Sequence, residues 1–219
     1  WVFPKRPSVQ LDEGVFEQSP ESSPASAESA DAEKKSEEYK AGAFSYSSPT
    51  ISEGVLYLGN LDNRLYAVDA ATGEMRWRFK TDAPVTSSPL LVDGNIYFGR
   101  NDGNVYSLDV RSLRVRWKAT TQHWVNSSPT VVDGTLYIGG NDRHIYAFDP
   151  ETGAGKWSYD TKGPSISRPA IYKNLVIGTG GSGDGAIYAL NREDGALFWR
   201  FKTLGKIESD PVVVGDRLY

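Results

Sequence analysis

Cysteine is absent from this 219-residue chain, which excludes a disulfide framework and thiolate chemistry and leaves the cellular compartment open. Basic charge is not in excess, since 24 Lys and Arg residues stand against 28 Asp and Glu residues, so nucleic acid is not expected as a partner. No apolar run reaches the ~20 residues of a spanning helix, and no signal peptide is visible. The chain begins with Trp1 and ends in a strand-like run at Tyr219, so we expect a longer natural protein and leave an upstream membrane anchor open.

The first 46 residues differ in composition from the rest. They hold nine acidic and five basic residues, so their net charge of −4 equals that of the whole chain, and the remainder carries 19 residues of each sign. From Gln18 to Lys40 the chain is rich in Ser, Glu, Ala and Pro, with too few apolar residues to offset the entropy of ordering. The composition predicts that residues 1–46 form a disordered acidic tether.

A repeat of about forty residues fills the chain after the tether. Ser-Ser-Pro begins at Ser47, Ser87 and Ser127, Ser167-Arg168-Pro169 follows, and Ser209-Asp210-Pro211 opens a fifth copy. Each copy contains four short runs rich in Val, Ile, Leu and Tyr, separated by turns of Asp, Asn and Gly. Four antiparallel strands per forty residues are typical of a β-propeller blade. The blades are predicted near 47–86, 87–126, 127–166 and 167–208, with the start of a fifth at 209–219.

One motif marks the turn between the third and fourth strand of each copy. It reads A-x-D-x-x-T-G-x-x-x-W from Ala67 to Trp77 and recurs letter for letter from Ala147 to Trp157. The small Ala leaves room for an indole, Asp accepts the N–H groups of the turn, and Gly adopts a positive φ. Because Trp buries a large face and carries one N–H donor, we expect it to fix each blade to its neighbour. The predicted blade-docking residues are Ala67, Asp69, Thr72, Gly73, Trp77, Asp109, Trp117, Ala147, Asp149, Thr152, Gly153, Trp157, Ala189, Gly195 and Trp199.

The chain resembles the PQQ-like (quinoprotein-type) propeller repeats over about 173 of its 219 residues. The resemblance is carried by this motif and by the run Asn101–Tyr106 that precedes its second copy. The resemblance implies an all-β fold, and the chain is then a segment of about four to five blades from a propeller of seven or eight. Two kinds of protein share these repeats. One kind comprises dehydrogenases that bind pyrroloquinoline quinone and calcium, and the other comprises non-enzymatic propellers such as the BamB-like scaffold of outer-membrane assembly.

The resemblance to the non-enzymatic branch is favoured, because the dehydrogenases carry a vicinal cysteine pair that this chain lacks. We therefore expect a non-catalytic, extracytoplasmic binding or scaffolding module of the cell envelope, with a protein or peptide as its unidentified partner. No catalytic, cofactor-binding or metal-binding residue is assigned. Two alternatives stay open: a fragment of a dehydrogenase that uses pyrroloquinoline quinone and calcium, and a sensor domain of a membrane kinase.

Departures from the repeat concentrate in the links between blades, which lie near the channel mouth in propellers. A mouth that carries one Arg, one Asp, one His and one Trp can hold an anionic small ligand or a peptide. The plainer alternatives are that Arg168 pairs with Asp210 and that the histidine is simply solvated. The candidate binding residues are His123, Trp124, Asn126, Arg168 and Asp210. The glycine-rich run 178–185 lacks the Lys-Ser/Thr ending of a phosphate-binding loop, so it is interpreted as a hairpin lengthened by two residues.

Overall fold

The computed structural model describes residues 46–219, so the predicted tether lies outside the described residues except for Tyr46. Eighteen strands and no helix occur in this part of the chain. In chain order the strands are β1 (Thr50–Ser52), β2 (Val55–Asn60), β3 (Arg64–Asp69), β4 (Met75–Lys80), β5 (Leu90–Val92), β6 (Asn95–Gly99), β7 (Asn104–Asp109), β8 (Val115–Thr120), β9 (Thr130–Val132), β10 (Thr135–Gly139), β11 (His144–Phe148), β12 (Gly155–Asp160), β13 (Ala170–Tyr172), β14 (Leu175–Gly180), β15 (Ala186–Asn191), β16 (Leu197–Lys202), β17 (Val213–Val214) and β18 (Arg217–Leu218).

Consecutive strands pair in antiparallel meanders of four, which we number blades 1 to 4, and β17 pairs with β18 as the start of a fifth sheet. The predicted all-β propeller architecture is confirmed, and the described residues form an open segment of the ring. The first strand begins at Thr50, directly after Pro49, since proline has no N–H for the ladder. The run 178–185 is a hairpin, with a turn of residues 181–185 between β14 and β15, as predicted.

The turns explain why the chain folds back at these points. Between β1 and β2, Glu53 and Gly54 both have positive φ angles, 50° and 74°. Asp93-Gly94 and Asp133-Gly134 repeat this conformation in the next two blades. Two successive residues with positive φ form the type I′ turn, whose twist matches that of the flanking strands. A register shift in the pairing of the third and fourth strands also recurs at one place in every blade, between Ala67 and Val68 in blade 1, and it adds twist to the sheet.

The links between blades follow one backbone pattern. The side chain of Thr81 donates to the carbonyl of Ala83 at 2.8 Å, and Pro84 O accepts the backbone N–H of Asn101 in the next blade at 3.1 Å. Equivalent bonds form in the next two links, where Asn141 N donates to Trp124 O and Gly181 N donates to Pro164 O. We call the side of the molecule that carries these links and the turns between second and third strands the link face.

The core lies between neighbouring blades rather than within one blade. Phe79 of blade 1 is 2% exposed and packs in one cluster with Ile96, Phe98 and Leu108 of blade 2. The equivalent side chain in blade 4, Phe201, is 61% exposed, because only two short strands follow blade 4 in the described residues. Each blade therefore depends on its neighbour for burial. Residues 46–219 contain no helix with the length and apolarity that crossing a membrane requires.

Candidate functional site

Two aromatic donors of one blade meet a single carbonyl of the next blade. The Trp117 indole N–H donates to Pro150 O at 2.8 Å, and the Tyr97 hydroxyl donates to the same oxygen at 3.1 Å. At the following junction Trp157 and Tyr137 both donate to Arg192 O, at 2.9 and 3.3 Å. A carbonyl has two lone pairs, so each acceptor is saturated by the neighbouring blade. This arrangement holds the blades in register at buried and partly buried positions.

The turn beneath the Trp117 indole is shaped by the Asp and Gly of the motif. Asp149 Oδ1 accepts the backbone N–H groups of Glu151 and Thr152, both at 2.9 Å. The bond from Thr152 N–H is the main reason why the pKa of Asp149 lies below its usual range. Gly153 has a φ of 73°, and a Cβ at this position would approach the Trp117 ring to 2.7 Å. Glycine therefore both permits the turn and lets the indole lie flat against it.

The carboxylates that recur in the third-to-fourth-strand turns are used within those turns. In blade 1, Asp69 Oδ1 accepts from Ala71 N and Thr72 N, while Arg76 binds Oδ2 at 2.7 Å. The Arg76 bond, followed by the two backbone bonds, lowers the pKa of Asp69 to about 2. Asp109 accepts from Arg111 N and Ser112 N in the same way. These oxygens are thus occupied by the chain itself.

Blade 2 departs from the motif but keeps its backbone. Leu113 replaces the glycine and still adopts a φ of 52°, and it packs with Trp77 in the core between blades 1 and 2. Trp77 remains half-buried, whereas Trp117 is 8% exposed. The small residues of the motif, Ala67, Ala147 and Ala189, are fully buried, each directly opposite the tryptophan of the next strand.

Arg168 and Asp210 lie together, but the contact joins the backbone of Arg168 to the side chain of Asp210 and is not a pairing of their charged groups. Asp210 Oδ1 accepts the backbone N–H of Arg168 at 2.7 Å. The serine hydroxyls play this part between earlier blades, because Ser88 Oγ accepts from Ser48 N at 2.8 Å and Ser128 Oγ accepts from Ser88 N at 2.9 Å. Asp210 therefore substitutes for a structural serine. Arg168 Nε is buried without a hydrogen-bond partner in residues 46–219.

His123 and Trp124 lie at a separate place on the link face. They line an open cavity of about 250 Å³ with residues 101–103, Thr121 and Gln122. Their ring centroids are 5.3 Å apart, and the ring planes are inclined by 57°. Asn126 is connected to the edge of this cavity through Thr86, whose hydroxyl lies 2.9 Å from the side chains of both Asn126 and Asn101. Arg168 and Asp210 do not line this cavity, so the five candidates are divided between two places.

A second cavity, of about 470 Å³, lies between blades 3 and 4 on the opposite side from the link face, and the sequence did not indicate it. Arg192 binds Asp133 at 2.7 Å there, and Lys156 donates to Gly134 O at 2.7 Å. The available signal was that Arg192 stands where Val110 and Pro150 stand in the preceding blades. Because both cations are bound within the chain, they act as contacts within and between these blades.

The described residues offer no fit for a calcium-bound quinone. Calcium takes six to eight oxygen ligands, several of them carboxylates, and no group of three His, Asp or Glu side chains close enough to hold a metal ion occurs in residues 46–219. The absence of catalytic, cofactor-binding and metal-binding residues remains a prediction for the natural protein.

A family model described as "Outer membrane protein assembly factor BamB" matches residues 28–123, 105–182 and 167–219. No curated protein matches the chain. A quinohemoprotein alcohol dehydrogenase from Pseudomonas putida HK5 is 20% identical, with a TM-score of 0.65 over 72% of this chain and 34% of that one. The corresponding enzyme from Comamonas testosteroni is 17% identical, with a TM-score of 0.64 over 74% of this chain and 36% of that one. BamB from Moraxella catarrhalis is 22% identical, with a TM-score of 0.54 over 79% of this chain and 69% of that one. The chain thus spans about a third of these two enzymes, and such identities show a shared fold. Since the family model covers most of the sequence, the chain belongs to the BamB-type family of PQQ-like β-propeller repeats.

Proposed function

We propose that this chain is a non-catalytic propeller module that binds protein partners at the cell envelope, outside the cytoplasm. The observation that carries the proposal is the match of residues 28–219 to a family described as an outer-membrane assembly factor. The side chains that recur from blade to blade support it, because their polar atoms are engaged in holding turns and neighbouring blades together. Partner recognition then belongs to surface residues that differ between blades.

Phe198 is the departure that best suits protein binding. It lies on β16, the outermost strand of blade 4, and is 71% exposed. The equivalent positions in the other three blades carry Arg76, Arg116 and Lys156. Arg200 and Lys202 follow Phe198 on the same face of the strand, since side chains alternate along a strand. An exposed apolar residue on an outer edge strand is suited to a partner that adds an extended segment to the sheet.

The partner is therefore proposed to pair with the free edge of β16 and to place an apolar side chain against Phe198. The adjoining Arg200 and Lys202 favour acidic residues in the same partner segment, although Asp184 compensates part of this charge, at 2.5 Å from Arg200 and 4.0 Å from Lys202. This mode uses main-chain hydrogen bonds for affinity and the alternate side chains for selectivity.

A photo-crosslinking residue at position 198 of the natural protein tests this surface in intact envelopes. We expect a discrete cross-linked protein at position 198 and none at position 116, the equivalent outer-strand site of blade 2. The variant Phe198→Arg, which carries the residue found in blades 1 and 2, is expected to lose the partner while retaining its melting temperature. Equal cross-linking at both positions, or unchanged binding by Phe198→Arg, would contradict the assignment.

The non-catalytic part of the proposal is tested separately, by titrating the chain with pyrroloquinoline quinone and calcium while following tryptophan fluorescence. We expect no saturable change at tens of micromolar cofactor. Tight binding that requires calcium would overturn this part, and it would favour a dehydrogenase fragment instead.

A further inference from the structure

The link after blade 2 carries two large rings where the links after blades 1 and 3 carry a small residue and a proline. Gln122-His123-Trp124 occupies the place of Asp82-Ala83-Pro84 and of Lys162-Gly163-Pro164. The backbone bonds are the same in all three links, since a threonine hydroxyl donates to the carbonyl of the middle residue. The carbonyl of the last residue accepts from the next blade in each case. The fold therefore requires neither ring.

Trp124 also differs from the tryptophans that dock blades. It is 50% exposed, whereas Trp117 is 8% exposed. Within residues 46–219 the Trp124 indole N–H has no acceptor, whereas the Trp117 and Trp157 N–H groups each bind a carbonyl. An indole can bury ~150–250 Å², and the exposed half of that area is available to a ligand. Trp124 is thus a preformed aromatic surface with an unused donor.

Neutral amide groups border this surface. The single hydroxyl proton of Thr86 cannot serve both amides that lie 2.9 Å from it, so one of Asn101 and Asn126 must present its NH₂ group to that oxygen. Whichever orientation Asn101 adopts, the other atom of its amide is left for a ligand. The backbone N–H of Gln122 is bound to Asp142 Oδ2 at 2.9 Å, which anchors the residue. Its side-chain amide has no partner among the described residues.

The charge of the cavity is compensated. Asp102 binds the guanidinium of Arg100 at 2.7 Å and accepts the Tyr106 hydroxyl at 2.6 Å. Among the residues that the structure describes, no Lys or Arg lines the cavity. Its volume of about 250 Å³ lies below the ~300–1,000 Å³ of sites for drug-sized molecules, so the occupant has about the size of one ring.

We propose that this cavity binds a single neutral pyranose ring of a glycan. The apolar C–H face of a pyranose stacks on the Trp124 indole, while its hydroxyl groups exchange hydrogen bonds with the Asn101 and Gln122 amides. A charged ligand would find no opposing Lys or Arg in the lining. This site is independent of the protein-binding surface proposed at Phe198, from which it differs in blade and in ligand. One ring in an open site is expected to bind with a Kd on the order of 1 mM.

The test follows the indole N–H signals of the ¹⁵N-labelled full chain by NMR. The Trp124 signal is identified by its loss in Trp124→Pro, which introduces the residue of the first and third links and keeps the fold if the Trp117 and Trp157 signals stay in place. Glucose, mannose, galactose and N-acetylglucosamine are added separately, each up to about 50 mM, well above the expected Kd. We expect at least one sugar to shift the Trp124 signal saturably and to leave the two docking tryptophans unmoved.

The variants Asn101→Ala and Gln122→Ala are expected to weaken that sugar about 2- to 10-fold each, as for the loss of one hydrogen bond. The proposal is overturned if none of the four sugars shifts the Trp124 signal, or if both alanine variants bind the sugar as the parent chain does. Decaproline is added in parallel. A Trp124 shift with decaproline and with no sugar would assign the surface to a proline-rich peptide and would also overturn the proposal.

Discussion

Replacing Gly153 by alanine should weaken the junction between blades 2 and 3 more than a simple turn effect allows. Two separate penalties act at this position. Gly153 has a φ of 73°, and placing a non-glycine residue in the left-handed region costs roughly 1–2 kcal/mol. The new Cβ would also lie 2.7 Å from two atoms of the Trp117 ring, closer than real Cβ contacts allow. Overpacking of this kind costs about 1–3 kcal/mol, so the expected loss in free energy of unfolding is about 2–5 kcal/mol.

Gly134 supplies the matched control for the backbone term. It has a φ of 65°, and an added Cβ would meet no atom of residues 46–219 within 4 Å. Gly134→Ala should therefore cost only the left-handed term, roughly 1–2 kcal/mol. Gly195→Ala repeats the docking test at the next junction, because its Cβ would lie 2.7 Å from the Trp157 ring. The difference between the docking variants and the control measures contact between blades alone.

The assay is urea unfolding at equilibrium, followed by tryptophan fluorescence and by circular dichroism. Agreement between the two probes and unchanged m-values are needed to convert midpoints into free energies. If Gly153→Ala and Gly134→Ala are destabilised equally, the indole does not rest on the turn and the docking role of Trp117 is wrong. A raised fluorescence of the folded Gly153→Ala chain with no loss of stability would also count against it, because it would show an indole released without cost.

Three further outcomes are expected. Ser165→Val should stabilise the chain by about 1–2 kcal/mol, because the buried Ser165 hydroxyl has no partner in the described part of the chain and valine occupies the equivalent site as Val125. Val125→Ser should destabilise the chain comparably in urea unfolding, and a stabilised Val125→Ser would refute the reasoning. Acid should destabilise the fold, since Asp69 and Asp149 have folded pKa values below the unfolded value of about 3.9. Their contribution to stability is present above about pH 4 and is lost as the pH falls toward the Asp69 pKa of about 2. Asp149→Asn should flatten the fall in melting temperature over that range. Burial, followed by the bond to a neighbouring carboxylate, raises the pKa of Tyr188 to about 12. Stability should therefore fall as the pH rises from about 10, the unfolded pKa of tyrosine, toward 12. Tyr188→Phe should lessen that fall.

Much of the fold was accessible from the sequence because the repeat displays the same strand and turn signals several times. In blade 1, for example, the four strands that the repeat predicts are β1 to β4, and they pair in chain order. The register between β3 and β4 after Ala67 could not be predicted, because no residue type in β3 marks the shift between Ala67 and Val68. Hydrophobic pattern specifies which face a side chain takes, while the position of a bulge depends on backbone geometry.

The candidate sites were less accessible, for a geometric reason. The sequence placed Trp124 and Arg168 in links that follow successive blades, and it predicted a common channel mouth. Trp124, however, precedes the serine-proline segment of its own link by three residues and lines a cavity with residues 101–103. Arg168 lies inside that segment and meets Asp210 through its backbone. A repeat pattern gives the order of residues within a link but carries no information on how far from the channel each one lies.

The four blades act as an internal comparison that separates structural from functional departures. A departure at a buried position lowers the stability of the fold, and other contacts offset this loss. Ser165 is an example, because its hydroxyl replaces the valine methyl groups of two other blades. A departure at an exposed position has no such consequence for packing, as at Trp124 and Phe198, which are 50% and 71% exposed. A large exposed apolar side chain buries little area within the fold, so coverage by a ligand or partner is the role that we propose for these two side chains. Exposure and departure from the repeat are therefore together the grounds for testing Trp124 and Phe198.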